Sequence, residues 1–444
     1  MKIFKRILLI SFVILAVAVY FNFPKLNFIS GYASKNMAST VFLTNRSAES
    51  VELNDNDVPL INLAEVETDG KSATASVFGL MARKAICNEG LGCTLVNKDY
   101  DPNIKIPVPQ RVKNENDLAF PYGDKEPKDT VFPNVDYDQL QKAMDQAFTN
   151  NEVQKTRTVL VAHKNHIIGE KYLEGFTKDT PILGWSMTKS VLATLYGILE
   201  YEGKIDLNEP VLLEGWEKDD RKKITLNHLL RMQSGLEWEE DYTSISDVTR
   251  MFFMDADMTK AQGEKKAIAA PTEVWNYSSG TSNLLSGILR KRFKTHQEYI
   301  NYPYQALIDK IGMSSMLMET DMKGNFVGSS YAWANTRDWA KFGLLYLNKG
   351  NWNGEQLFGP SWVSYVSEPT ILSDGTYGGH FWLNANGKYP DVPRDLYSAN
   401  GYQGQRVFII PSKDVVVVRT GLAEDPDFDI NLFLKNVLAA IKNK

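Results

Sequence analysis

Apolar and polar positions divide the chain into recognisable stretches. Thr74-Ala75-Ser76-Val77-Phe78-Gly79-Leu80 alternates and reads as a strand. Thr158-Val159-Leu160-Val161-Ala162 and His166-Ile167-Ile168-Gly169-Glu170 read as two strands joined at His163-Lys164-Asn165, a hairpin. From Ser190 to Tyr201 the apolar residues Val191, Leu192, Leu195, Tyr196, Ile198 and Leu199 fall at helical spacing, and Gly203 is the stop. Further helices are expected around Leu226–Met232, Leu284–Phe293 and Thr336–Asn348, the last with Thr336 as N-cap and Asp338 in its first turn. The chain closes with strands Val407–Ile410 and Val415–Thr420 and a helix from about Asp429 to Lys442. Strands thus come first, helices fill the middle, and strands with one helix return. That order predicts a mixed α/β (α+β) fold, with a sheet built from both chain ends and a helical lobe inserted between them.

The flanks are different. Lys2, Lys5 and Arg6 precede a run from Ile7 to Phe23 with no charge, which reads as a membrane anchor or a signal peptide. Ala16-Val17-Ala18 offers a cleavage site, but it lies inside the apolar run and bulky Val19 and Tyr20 follow, so an uncleaved anchor is favoured. Either reading places the rest of the chain in the periplasm or outside the cell. Residues 24 to 130 form an extension and linker, and Pro102, Pro107, Pro109, Pro121 and Pro127 preclude long helices in its last third. The chain is therefore divided into an anchor or signal over residues 1–23, an extension over 24–130 and a main domain over 131–444.

Composition narrows the function. With 444 residues and 43% hydrophobic content the chain can bury a large core. A net charge of −5 with no basic block beyond the first residues argues against nucleic-acid binding. Cys87 and Cys93 are the only cysteines, too few for a cysteine-rich zinc site. They flank Gly90-Leu91-Gly92, a turn compatible with a local disulfide in an oxidising compartment or with two buried thiols. The five histidines show no zinc-ligand spacing with a carboxylate base, so no metal is expected.

Three segments carry candidate chemistry. Ser186-Met187-Thr188-Lys189 opens the helix predicted at Ser190–Tyr201. Residues three apart share a helix face, so the hydroxyl and the amine can meet. A serine hydroxyl is a poor nucleophile until a base takes its proton, and a desolvated lysine can serve. Taken alone, the pattern fits a capping serine and a solvated lysine just as well. Trp275-Asn276-Tyr277-Ser278-Ser279 places a phenol on a loop ahead of a helix, where it would relay protons or pack in the core. Ala399-Asn400-Gly401-Tyr402-Gln403-Gly404-Gln405 leads into a strand, and its glycines allow a backbone to approach a ligand closely.

The order of these segments resembles the serine β-lactamase and penicillin-binding-protein superfamily. Linking segments extend the likeness: Gly203-Lys204-Ile205-Asp206-Leu207, Ile224-Thr225-Leu226-Asn227-His228-Leu229-Leu230 through Ser234-Gly235-Leu236, and Thr336-Arg337-Asp338-Trp339-Ala340-Lys341-Phe342-Gly343. It spans roughly residues 136 to 444 and is greatest with the class C-like branch, esterases and 6-aminohexanoate-dimer hydrolases. The resemblance implies a β-lactamase/transpeptidase-like fold and a cofactor-free enzyme. Its substrate would be a small ester or amide, hydrolysed through an acyl-serine. It implies Ser186 as nucleophile, Lys189 as base, Tyr277 as partner in proton transfer to the leaving group, and the backbone N–H groups of Ser186 and Tyr402 as oxyanion hole. A shifted register would place Gln405 in the last role.

Two departures matter. The family's Tyr-x-Asn stands here as Tyr277-Ser278-Ser279, and its Lys-Thr-Gly as Ala399-Asn400-Gly401. The lysine that would pair with a penicillin or peptide carboxylate is thus missing, with Arg406 the nearest cation in sequence. An ester or simple amide fits better than a cell-wall peptide or a β-lactam. A catalytically silent binding or sensor protein on the same fold is the remaining rival. Trp185 and Trp275 would line an apolar acyl pocket or pack in the core.

Overall fold

The computed structural model describes residues 2–112, 118–123, 125–128 and 130–442. The linker expected over residues 101–129 therefore lies partly outside the described residues. Helix α1 runs Lys2–Thr44 and α2 Ala48–Asn54. Strands β1 (Ala64–Asp69), β2 (Ser72–Val77), β3 (Leu80–Asn88) and β4 (Gly92–Val96) follow as an antiparallel sheet in that order. Next come α3 (Tyr137–Gln146), α4 (Asn151–Gln154), β5 (Thr156–His163), β6 (His166–Tyr172), β7 (Ile182–Leu183) and α5 (Met187–Tyr201). The helical lobe holds α6 (Leu226–Leu230), α7 (Asp247–Met254), α8 (Ser279–Arg290) and α9 (His296–Pro303). After β8 (Leu317–Met318) and β9 (Ala332–Ala334) lie α10 (Thr336–Leu347), a short hairpin β10 (Asn351–Trp352) and β11 (Glu355–Gln356), and α11 (Pro360–Ser367). The chain returns through β12 (Trp382–Leu383), β13 (Tyr397–Gly401), β14 (Gln405–Ile410), β15 (Val415–Gly421) and α12 (Ile430–Ala439).

The main sheet has the order β12-β13-β14-β15-β5-β6, with every pair antiparallel. Both chain ends build it and the helical lobe is inserted between them, as the pattern of strands and helices predicted. Strand β15 shows why the sheet is apolar on both faces. Val416 and Val418 point into a core with Leu344 of α10 and Leu192 of α5, whereas Val415 and Val417 point into a second core with Leu140 of α3 and Leu434 of α12. Alternation by two thus serves two helical layers at once.

Local boundaries shift slightly. The β5–β6 turn is the two residues Lys164 and Asn165, both at positive φ, because His163 pairs with His166. The cap of α10 is Asn335, whose side chain accepts from the Asp338 N–H at 2.8 Å, and Thr336 lies inside the helix. Cys87 and Cys93, opposite each other on β3 and β4, are joined by a disulfide.

The largest correction concerns the amino terminus. Among the described residues no helix is long and apolar enough to cross a membrane, which overturns the expected anchor over residues 1–23. The placement outside the cell inferred from a membrane anchor loses its basis with it. The apolar run breaks at Pro24 and Lys25, short of the ~20 apolar residues a span requires. The helix carries on as Gly31-Tyr32-Ala33-Ser34-Lys35-Asn36-Met37-Ala38-Ser39-Thr40, nearly all of it buried. This second half of α1 packs on the small sheet and against Phe253 and Tyr331 of the main body.

Candidate active site

The chain enters α5 through a bend. Trp185 has φ 48, in the left-handed region that a bulky residue rarely adopts, and Ser186 follows at φ −64, ψ −6. The Gly184 N–H donates to the Ala332 carbonyl at 2.8 Å, and the Thr188 hydroxyl donates to the Trp185 carbonyl at 2.7 Å. The Trp185 ring is enclosed by Tyr32 from α1 at 6.1 Å, Tyr331 at 6.1 Å and Tyr402 at 5.7 Å between centroids. These contacts fix the bend that presents Ser186 at the start of a buried helix.

Lys189, one helical turn on, is only 1% exposed. Its Nζ donates to Ser186 Oγ at 3.0 Å, to Ser279 Oγ at 3.0 Å and to the Ser329 carbonyl at 2.9 Å. All three partners are neutral oxygens. Burial penalises the ammonium and lowers its pKa to about 8, while the charge of Glu240 acts the other way. Its Nζ lies 4.9 Å from the centroid of the Tyr277 ring.

Tyr277 sits just before Ser278, whose hydroxyl caps α8 by accepting from the Thr281 N–H at 2.9 Å. Burial pushes the Tyr277 phenol well above the ordinary pKa, with the nearby Ser186 hydroxyl acting the other way. It therefore keeps its proton at neutral pH. Trp382 at 5.3 Å and Tyr377 at 5.8 Å hold the ring, and Trp275 packs on Tyr377 at 5.5 Å.

Strand β13 closes the other side. A Cβ on Gly401 would lie 2.0 Å from the Gly184 carbonyl oxygen, so only glycine lets this strand abut the bend. Tyr402 follows directly, its ring edge-on to Trp185. Among the described residues neither the Ser186 nor the Tyr402 backbone N–H has an internal acceptor. Arg406, opposite Asn400 on β14, donates to the carbonyls of Gly401 at 2.6 Å and Gln405 at 2.9 Å. Gln405 lies past the turn, its side-chain amide bonded to the Gly421 carbonyl at 2.6 Å.

Ser186, Lys189, Tyr277 and Tyr402 thus converge, although the sequence separates them by more than two hundred positions. Sequence reasoning missed Glu240, Ser279, Tyr242 and the Ser329 carbonyl. Glu240 accepts from the Ser279 hydroxyl, from the Ser279 N–H at 2.8 Å, from the Tyr242 phenol at 2.8 Å and from the Trp238 indole. Ser279 had been visible only as the residue standing where the family has asparagine. His380 is buried and kept neutral, its pKa lowered to about 3 by desolvation. Its ring nitrogens lie 2.6 Å from the Leu230 carbonyl and 3.1 Å from Ser282 Oγ, a structural placement.

An antiparallel sheet covered by helices on both faces, with a hydroxyl, an amine and a phenol meeting at the start of the buried helix α5, defines the serine-hydrolase class of this architecture. Residues 148–429 match the Beta-lactamase family over well above half the chain, and the protein belongs to that family. It is 25% identical over 305 residues to the 6-aminohexanoate-dimer hydrolase of Paenarthrobacter ureafaciens, covering 61% of this chain and 74% of that one. Two solved structures share the fold. A candidate 6-aminohexanoate-dimer hydrolase from Bacillus anthracis has a TM-score of 0.56 at 21% identity, covering 67% of this chain and 81% of its own. A family VIII carboxylesterase has a TM-score of 0.52 at 16% identity, covering 71% and 99%.

Proposed function

We propose that this protein hydrolyses an ester or simple amide through an acyl-serine intermediate. The observation that carries the reading is the Lys189 amine, buried among neutral oxygens, 3.0 Å from Ser186 Oγ. At pH 7 a useful fraction of such an amine is neutral. It takes the Ser186 proton as Oγ bonds to the substrate carbonyl carbon and the carbonyl electron pair moves onto oxygen. The Ser186 and Tyr402 N–H groups stabilise that oxyanion. As the tetrahedral species collapses, the leaving alkoxide or amine departs with its bonding pair. It collects a proton from the Tyr277 phenol, which is reprotonated from Lys189. Water then attacks the acyl-serine by the same route, releasing the acid and restoring Ser186.

Two features favour an ester or simple amide over a substrate that needs carboxylate pairing. Ala399 stands where the superfamily carries its lysine, and the Arg406 guanidinium is engaged with strand carbonyls. The relatedness to a 6-aminohexanoate-dimer hydrolase is consistent with this choice.

The test uses the full chain with a fluorescent fluorophosphonate and, separately, a fluorescent penicillin. Phosphonate labelling that disappears in Ser186→Ala supports the hydrolase. Penicillin labelling would redirect the assignment toward β-lactam or cell-wall chemistry. Folded protein that takes neither label would mark a silent binding protein. A p-nitrophenyl ester chain-length series beside a small amide panel then identifies the acyl group.

A further inference from the structure

We infer that Ser279 and Glu240 form a relay that holds Lys189 in its reactive orientation and stabilises it once it has taken the proton from Ser186. This inference rests on the acyl-serine reading above and adds to it two positioning residues that act through Lys189.

The argument is one of hydrogen-bond direction. A neutral lysine amine has two N–H donors and one lone pair. For Lys189 to act as a base, its lone pair must face the Ser186 hydroxyl, so its two donors must go elsewhere. The structure offers two further acceptors: the Ser329 carbonyl at 2.9 Å and Ser279 Oγ at 3.0 Å. A carbonyl only accepts, so that bond has one direction. Ser279 Oγ can donate or accept, and a donating Ser279 would compete with Ser186 for the lone pair. Glu240 removes the ambiguity. Its Oε1 takes the Ser279 hydroxyl proton, which leaves Ser279 Oγ only its lone pairs to offer Lys189. The chain therefore runs one way, from Lys189 N–H to Ser279 O–H to the Glu240 carboxylate.

Glu240 is itself fixed by three further donors, the Ser279 N–H, the Trp238 indole and the Tyr242 phenol. Because the carboxylate acts through a hydroxyl, Lys189 gains support for its cationic form without a direct ion pair. A direct pair would hold the amine protonated and disable it as a base. When the Ser186 proton arrives, no new bond has to form. The third N–H points back at Ser186, and the Ser279–Glu240 dipole already faces the new charge. Other titratable groups around Lys189 are Tyr277 and His380, with Tyr242 and Tyr377 beyond them and Arg406 and Glu424 acting on Tyr277. His380 is neutral, and the tyrosines keep their protons through the working range.

The experiment follows the rate of fluorophosphonate labelling of Ser186 against pH in the full chain. It compares wild type with Glu240→Gln, Ser279→Ala, Ser279→Thr and the double variant Glu240→Gln/Ser279→Ala. The acid limb of wild type is expected near pH 8, where Lys189 loses its proton. Glu240→Gln and Ser279→Ala should each move that limb to lower pH, by roughly one unit, because each withdraws support from the ammonium. Each should also lower the plateau about ten-fold through lost orientation. Ser279→Thr keeps the hydroxyl and should restore the wild-type limb. In the double variant the shift should fall short of the sum of the single shifts. If Glu240 merely braces its loop, labelling falls at every pH with the limb in place, and the relay is overturned. If Glu240→Gln does not fold, the Ser279→Ala and Ser279→Thr pair decides the matter by the same criterion. No labelling of Ser186 in wild type would overturn the hydrolase reading itself, a result distinct from labelling with an unmoved limb.

Discussion

Among the buried lysines of the described residues, Lys35 and Lys189 have surroundings that give them opposite tasks. Lys35 of α1 donates to Glu319 Oε2 at 2.7 Å and lies 4.1 Å from the centroid of the Tyr331 ring. Glu319 is fully buried and also accepts from Ser39 at 2.8 Å, from the Cys93 N–H at 2.7 Å and from the Trp333 indole at 2.9 Å. That carboxylate ties α1, β4 and β9 together. Lys189 is equally buried but meets hydroxyls and a carbonyl. Burial lowers the pKa of both amines, but only Lys35 has a carboxylate in contact to oppose it. A directly paired buried cation is an architectural element, whereas one separated from its counter-charge by a hydroxyl can exchange protons.

The sharpest way to separate the two is to convert each to methionine. Lys189→Met should reduce fluorophosphonate labelling about a thousand-fold, the loss expected on removing a general base. Lys35→Met, assayed below its melting temperature, should label at a rate close to wild type. Equal losses in the two variants would erase the distinction.

Stability should respond in the opposite sense. Glu319→Ala strips Lys35 of its counter-charge and leaves three donors unpaired, and should cost about 3–5 kcal/mol in urea denaturation. A smaller loss, about 2 kcal/mol, is expected from Cys87→Ser/Cys93→Ser, which opens the short covalent loop that presents the Cys93 N–H to Glu319.

Lys189→Met should instead stabilise the protein at pH 7, by roughly 1–3 kcal/mol. The folded pKa of about 8 lies below the ordinary 10.5, so between those values the unfolded chain binds more protons and wild-type stability rises with pH. The advantage of the variant should therefore be complete below about pH 8 and disappear by pH 10.5. Denaturation curves at pH 7 and pH 10.5 measure it, and a pH-independent difference would refute the assignment of the depressed amine.

What could be read in advance follows from the range of each interaction. Ser186 and Lys189 were visible because helix geometry links positions three apart. Strand β15 was visible because its valines form an unbroken run, whereas its burial on both faces was seen only in the structure. Tyr277 and Tyr402 emerged through likeness to a family whose motifs keep their order. Glu240 was hidden, since it lies on an irregular loop 39 positions before Ser279 and meets it only through tertiary folding. The second half of α1 was hidden for another reason. Ser30, Ala33, Ser34 and Ala38 are small and half of them polar, so no strongly apolar stripe marks the helix, yet their size lets it nestle against the small sheet.

The left-handed backbone at Trp185 carries a final consequence. A tryptophan adopts that conformation only under outside constraint, and here the constraint comes from rings at positions 32, 331 and 402. The residue beside the nucleophile is thus steered from both extremities of the polypeptide. Natural variants should exchange these four positions as a set, and an isolated change at Tyr32 should register as altered turnover although its side chain never meets the serine.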